Sequence, residues 1–175
     1  MKELLIKLKA CEAAREWAGD KSWPEIFATC HRGDWLLWLF YHTAGDKRLL
    51  TLAKGHCANT VRHLMKDERS VNAVDVAIRY GNGEATQEEL RAASAAAYAA
   101  ASAAAYAAAS VAAYAAADAD AYAAAYAAAA SVAAYADADA ATKENQQITA
   151  YICRKYLPIE VWNITESGQL ITKNQ

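Results

Sequence analysis

The chain has 175 residues, of which 55% are hydrophobic by type, yet its mean hydropathy is only −0.08, because much of that hydrophobic count is alanine, which buries little surface. With 7 Gly and 2 Pro it is too poor in turn formers for a turn-rich all-β protein or a linker protein. A net charge of −2 and a pI near 6.1 argue against a general nucleic-acid binder.

Met1–Ala10 reads MKELLIKLKA, and the charges at Lys2, Glu3, Lys7 and Lys9 interrupt any apolar core of a signal peptide. Leu4, Leu8, Cys11, Ala14 and Ala18 recur at helical spacing, with Gly19 as the stop. Ser22-Trp23-Pro24-Glu25 is a capping-box pattern with proline in the first turn. Gly33-Asp34 opens another helix, with Asp34 expected as its N-cap. The run Trp35-Leu36-Leu37-Trp38-Leu39-Phe40-Tyr41 is apolar all round and should be the buried centre of the segment. Gly45-Asp46 repeats the stop-and-cap signal. Leu49, Ala53, Cys57, Val61 and Leu64 form one stripe, and Val71, Val74 and Ile78 a weaker one that ends at Gly81-Asn82-Gly83.

Thr86-Gln87-Glu88-Glu89 is a second capping box, with Glu89 reaching back to Thr86. Beyond it lies an internal repeat of eight residues. Ser94, Ser102, Ser110 and Asp118 each stand four residues before a tyrosine, at Tyr98, Tyr106, Tyr114 and Tyr122, with alanine filling most of the rest. Alanine is the strongest helix former, and there is no Gly or Pro from Ala85 to Leu157, so the tract reads as helix. Eight residues advance a side chain by about 80° beyond two turns, so the tyrosines wind around the helix rather than lining one face. One unbroken helix over residues 86–141 would be about 84 Å long. A compact chain of this size has a radius of gyration of about 16 Å. A break is therefore expected near Asp118–Asp120, and a second near Asp137–Asp139, where aspartate can cap. The tract is long enough to span a bilayer, but it lacks Leu, Ile and Phe and carries Tyr, Ser and Asp, so no membrane span is expected.

The expected fold is thus all-α: a helical bundle in which short N-terminal helices (1–84) pack with Ala/Tyr-rich antiparallel helices (85–157), followed by a C-terminal tail (158–175), together one compact domain. Ile164 to Gln175 reads as a short strand pair or a loose tail. The four cysteines form no CxxC pair, and a reduced, cytoplasmic setting is the simplest reading. No HExxH or HxxxH occurs, so neither a metal nor a cofactor is expected. No Gly-rich phosphate loop, GxSxG or other catalytic constellation is present, which points away from an enzyme.

One cluster of polar groups is threaded through the most apolar stretch: Arg32, Asp34, Tyr41, His42 and Lys54. If buried, these groups must be paired. They form either a structural network at the helix ends or a binding pocket beside Trp35 and Trp38. The repeat tyrosines Tyr98, Tyr106, Tyr114 and Tyr122 are either packing wedges or a second binding face.

Several segments stand together in a familiar order: Ala10-Cys11-Glu12-Ala13-Ala14, Trp17-Ala18-Gly19-Asp20, Cys30-His31-Arg32-Gly33-Asp34-Trp35-Leu36-Leu37-Trp38, and Gly83-Glu84-Ala85-Thr86 before the Ala/Tyr/Asp tract. Over roughly residues 5–160 the chain resembles the immunity-protein family of alanine-rich helical proteins associated with bacterial polymorphic toxins and also common in phages. The resemblance implies a non-enzymatic protein that neutralises a protein toxin or effector by binding it. Serine stands where aspartate would be expected in the first three octads, which weakens the case for an acidic face. Two alternatives remain. One is a phage-type sponge that sequesters a small nucleotide, with tyrosines stacking on the base and Arg32, Arg62 or Lys54 on phosphate. The other is a structural homo-oligomer built on the Tyr/Ala tract.

Overall fold

The computed structural model describes residues 1–44, 46–65, 67–103 and 138–171. Every regular element among them is helical: α1 (Lys2–Lys7), α2 (Glu12–Ala18), α3 (Trp23–Thr29), α4 (Gly33–Thr43), α5 (Lys47–Asn59), α6 (Glu68–Gly81), α7 (Gln87–Ala103) and α8 (Ala138–Tyr156). Short 3-10 turns cover Arg62–Leu64 and Ile159–Val161. The expected all-α fold is observed. Among the described residues no helix is long and apolar enough to cross a membrane.

Local chemistry sets most of the boundaries. At α3 the Glu25 amide donates to Ser22 Oγ at 3.4 Å while the Ser22 amide donates to Glu25 at 2.7 Å, the reciprocal box read from the sequence. The same exchange opens α7, where the Thr86 amide reaches Glu89 at 2.6 Å and the Glu89 amide reaches Thr86 Oγ1 at 3.1 Å. Asp46 caps α5 by accepting from the amides of Arg48 and Leu49. Gly19 stops α2 with a positive φ of 48°, as expected of a glycine there.

Three expectations need correction. The stripe from Leu4 to Ala18 belongs to two helices rather than one. Lys9 adopts a φ of 60°, its amide donates to Ile6 O at 3.0 Å, and the Ala10 amide donates to Leu5 O at 2.9 Å. That bond pair closes a helix C-terminus, so the chain turns before Cys11. The second correction concerns α4: Arg32 is the N-cap, and Asp34 sits inside the first turn with its carboxylate engaged by Arg32. A carboxylate in the first turn still complements the helix dipole. Third, the Leu49–Leu64 stripe outruns its helix. α5 ends at Asn59, and Val61 packs with Leu64 and Met65 in a small satellite cluster.

The main core gathers Trp23 from α3, Leu36, Leu37 and Phe40 from α4, Ala150 and Cys153 from α8 and Leu157 just past its end, closed by Trp162. The expectation for α4 holds on its inner face only, where Leu36, Leu37, Leu39 and Phe40 are buried. A second cluster joins α6 to α7 through Ala73, Val76, Tyr80, Ala93 and Ala97. Alanine at positions 93 and 97 lets the two helices approach with little side chain between them. Arg48 ties this layer to α5: it donates to Tyr80 O at 2.8 Å and lies over the Tyr80 ring at 4.5 Å. Past α8, Asn163 donates to Thr43 O and Ala44 O, both at 3.1 Å, and Ile164 and Leu170 form one antiparallel bridge. The C-terminal segment is therefore docked on the end of α4, at least to Ile171.

The octads beyond Ala103, including Tyr106, Tyr114 and Tyr122, lie outside the described residues, as do Asp118–Asp120 and Asp137. Asp139 falls within α8.

The seam between α5 and α8 carries a titratable stack. The rings of His56 and Tyr156 lie 4.0 Å apart and 7° from parallel, with Lys155 over the tyrosine ring at 5.1 Å. Burial, and then the nearby Lys155 charge, hold the His56 pKa below its ordinary value. Unfolded, the imidazole titrates near 6.5. Between its lowered folded pKa and about 6.5 the unfolded chain binds more protons, so stability rises with pH through that window. Acidification from pH 7.5 to 5.5 should therefore lower the Tm, and His56→Phe, which keeps the stack, should flatten that slope. The carboxylates held low by their partners, such as Asp75 beside Arg62, act only at more acid pH. A Tm-against-pH profile of the two proteins checks this.

Candidate binding surface

The outer face of α4 is aromatic. Trp35, Trp38, Tyr41 and His42 recur three or four residues apart, so they share one side of the helix. Tyr41 is 53% exposed, and Trp35 and Trp38 are half-buried. His42 packs against Trp38 at 4.4 Å with a 36° tilt, meets Tyr41 edge-on at 5.0 Å, and is anchored through Nδ1 to Trp38 O at 2.8 Å. α2 and the α3–α4 connection extend the patch: Trp17 lies 5.9 Å from Trp35 and 5.8 Å from His31, and His31 lies 6.1 Å from Trp35. Rings held at these distances and tilts are mutually supporting and present edges and faces in fixed directions.

Arg32 frames one end. Its guanidinium packs over Trp35 at 4.8 Å and grips Asp34 in a two-bond fork, Nε to Oδ1 at 2.8 Å and Nη2 to Oδ2 at 2.5 Å. The Asp34 hydrogen bond holds the Arg32 pKa above its ordinary value. The fork takes two of the five Arg32 N–H donors and sets the Asp34 carboxylate against its charge, and it clamps Trp35 and the start of α4. Arg62 is likewise forked onto Asp75.

Behind the stripe is a cavity of about 240 Å³ between the α1–α2 hairpin and α3–α4. Trp17, Trp35 and Trp38 line it together with Leu5, Ile26 and Leu39. Lys9 and Cys11, both exposed, stand at its mouth. A cavity thus lies beside Trp35 and Trp38, but its walls are apolar, and the polar residues Arg32, Asp34, Tyr41, His42 and Lys54 do not gather in it. Arg32 and Asp34 pair at the start of α4, and Tyr41 and His42 close its far end. Lys54 is buried in α5, and Tyr98 is 54% exposed on α7; neither lines the cavity.

The sequence pattern does not single out Trp17, His31, Lys9 or Cys11 as site residues. Trp17 left one signal, since it lies three residues after the buried Ala14. Lys9 left none, because its place depends on where α1 ends.

The other three cysteines are buried where α4 and α5 meet α8. Cys30 points its thiol at Arg32 O, Cys153 at Gly33 O (3.5 Å), and Cys57 at Thr149 O. Burial pushes the Cys30 pKa up to about 11 and that of Cys153 well above the usual thiol value, so both are protonated packing groups at neutral pH. Among the described residues no group of three His, Cys, Asp or Glu could hold a metal ion.

No family model, curated protein or solved structure matches this chain. The segment Arg32–Trp38 builds the clamped start of the aromatic stripe.

Proposed function

We propose that this chain is a non-enzymatic binding protein that neutralises a protein toxin or effector by direct contact, with the aromatic face of α4 as its docking surface. One observation carries the reading: Trp35, Trp38, Tyr41 and His42 stand half-exposed or exposed on a rigid helix whose other face is fully buried. Tryptophan, tyrosine and arginine dominate the energetic centres of protein interfaces, and pre-fixed rings lose little entropy on contact. The nucleotide-sponge alternative draws less support, because Arg32 and Arg62 are already committed to carboxylates.

The test is affinity capture with the tagged full chain from toxin-carrying cells, followed by co-expression of the captured toxin. Tyr41→Ala and Trp38→Ala together should weaken capture about 30-fold or more, the loss of about 2 kcal/mol expected at an interface centre, and should abolish rescue of growth. Tyr41 is exposed enough that its loss should leave the fold intact. Equal capture and equal rescue by the double variant would refute this surface as the docking face.

A further inference from the structure

We propose that the cavity behind the stripe is a binding site for a small amphiphilic carboxylate, with its apolar body among Trp17, Trp35 and Trp38 and its acid group paired with Lys9. This goes beyond the docking reading and does not depend on it.

Size is the first ground. An engineered apolar cavity of about 150 Å³ accepts benzene. A cavity of about 240 Å³ walled by three indoles and aliphatic side chains has room for a larger body, of about eight to ten carbons. Three tryptophans converging from α2 and α4 also give such a body flat, polarisable walls.

Lys9 is the second and independent ground. It occupies the residue just past the C-cap of α1, at φ 60°, inside the bond pattern that closes the helix. Glycine is favoured there because any side chain is strained at positive φ. A lysine in that position breaks the local rule, and among the described residues it forms no ion pair that would offset the strain. Breaks of this kind concentrate at functional positions. What the strained turn achieves is placement: it sets a solvent-exposed lysine at the mouth of an otherwise apolar cavity. A single ammonium is a point charge suited to one monoanion, whereas a phosphate dianion would be left half-matched. The complement of one cation beside an apolar pocket is an apolar body bearing one carboxylate.

Cys11 makes the site measurable. It stands at the mouth and is exposed, while Cys30, Cys57 and Cys153 are buried, so maleimide should label Cys11 first. The experiment uses the full chain with three probes: octanoate, octanol as its neutral counterpart, and acetate as the acid without a body. Octanoate is expected to change the tryptophan fluorescence and to slow Cys11 labelling, octanol to bind about fivefold more weakly, and acetate to do neither. Lys9→Gly should relieve the strained turn and raise the Tm by about 2–4 °C. The same variant should bind octanoate no better than octanol. Because this variant is expected to be more stable than the parent, a loss of preference in it cannot be ascribed to misfolding. Ala14→Phe, which fills the cavity, should abolish both ligands. The proposal is overturned if octanoate leaves Cys11 labelling unchanged, if octanoate and octanol bind the parent equally, or if Lys9→Gly keeps the preference for the acid.

Discussion

Gly33→Ala is expected to destabilise the protein by about 2 kcal/mol, although alanine is the better helix former. Two effects oppose each other. Replacing a helical glycine by alanine gains up to about 1 kcal/mol in propensity, and less in the first turn, where Gly33 sits. Against it stands the seam with α8. A Cβ on Gly33 would lie 2.5 Å from Thr149 Oγ1, 2.7 Å from Thr149 Cβ and 2.6 Å from the Thr149 carbonyl carbon. The hydroxyl could rotate away, but the carbonyl carbon belongs to the α8 backbone and moves only if the helix moves. Overpacking of a well-packed core costs about 1–3 kcal/mol, and a contact with backbone places this case in the upper part of that range. The shift would also disturb Cys153, whose thiol reaches Gly33 O. For a domain of this size the loss corresponds to a fall in Tm of about 4–8 °C, to be read from thermal unfolding. Thr149→Ala added to Gly33→Ala should restore less than half of it, because the backbone contact remains. Wild-type stability in Gly33→Ala would mean that α4 and α8 do not approach this closely.

That seam separates what the sequence makes legible from what it does not. Features governed by neighbours within one helical turn were readable. The Ser22/Glu25 and Thr86/Glu89 boxes and the stop at Gly19 follow from spacing and side-chain chemistry alone, whereas a run that is apolar all round does not say which face of α4 is buried. Lys9 was not readable, because a helix that ends on a lysine at positive φ carries none of the glycine that normally marks such an end. The site was legible in part. Trp35 and Trp38 read equally as core or as pocket wall, the third indole, Trp17, comes from α2, and a single-helix pattern holds no information about which helices converge. The polar cluster failed as a unit for a geometric reason. Arg32 and His42 are ten residues apart, about 15 Å along a helix, so they cannot serve one small site from the same face. Asp34 was misassigned because two roles compete for an aspartate beside a helix start. An arginine two residues earlier that can fork its carboxylate wins over the backbone amides.

Trp162→Ala should be among the most damaging single changes, at about 3–5 kcal/mol, a large part of the roughly 5–15 kcal/mol that holds a domain folded. Trp162 is 3% exposed and lies outside every long helix, yet it closes the main core. Its ring sits 4.8 Å from Trp23, 4.9 Å from Phe40 and 6.0 Å from Phe27, so it joins α3 to α4 from the far side of α8. Its indole N–H donates to Leu157 O at 2.9 Å, which satisfies a carbonyl just past the end of α8. Trp162→Phe keeps most of the ring contact and loses that bond, and should cost an intermediate amount. Trp23 supplies the internal comparison. It is as deeply buried, at 2% exposure, but its N–H finds no acceptor among the described residues. A buried unpaired donor costs about 1–3 kcal/mol, so Trp23→Phe sheds a penalty while it loses packing, and the two partly cancel. Denaturant unfolding should therefore rank the losses Trp162→Ala, then Trp162→Phe, then Trp23→Phe. If Trp23→Phe proved as costly as Trp162→Phe, the Trp23 indole would have to hold a partner after all, and the asymmetry between these two packed rings would disappear.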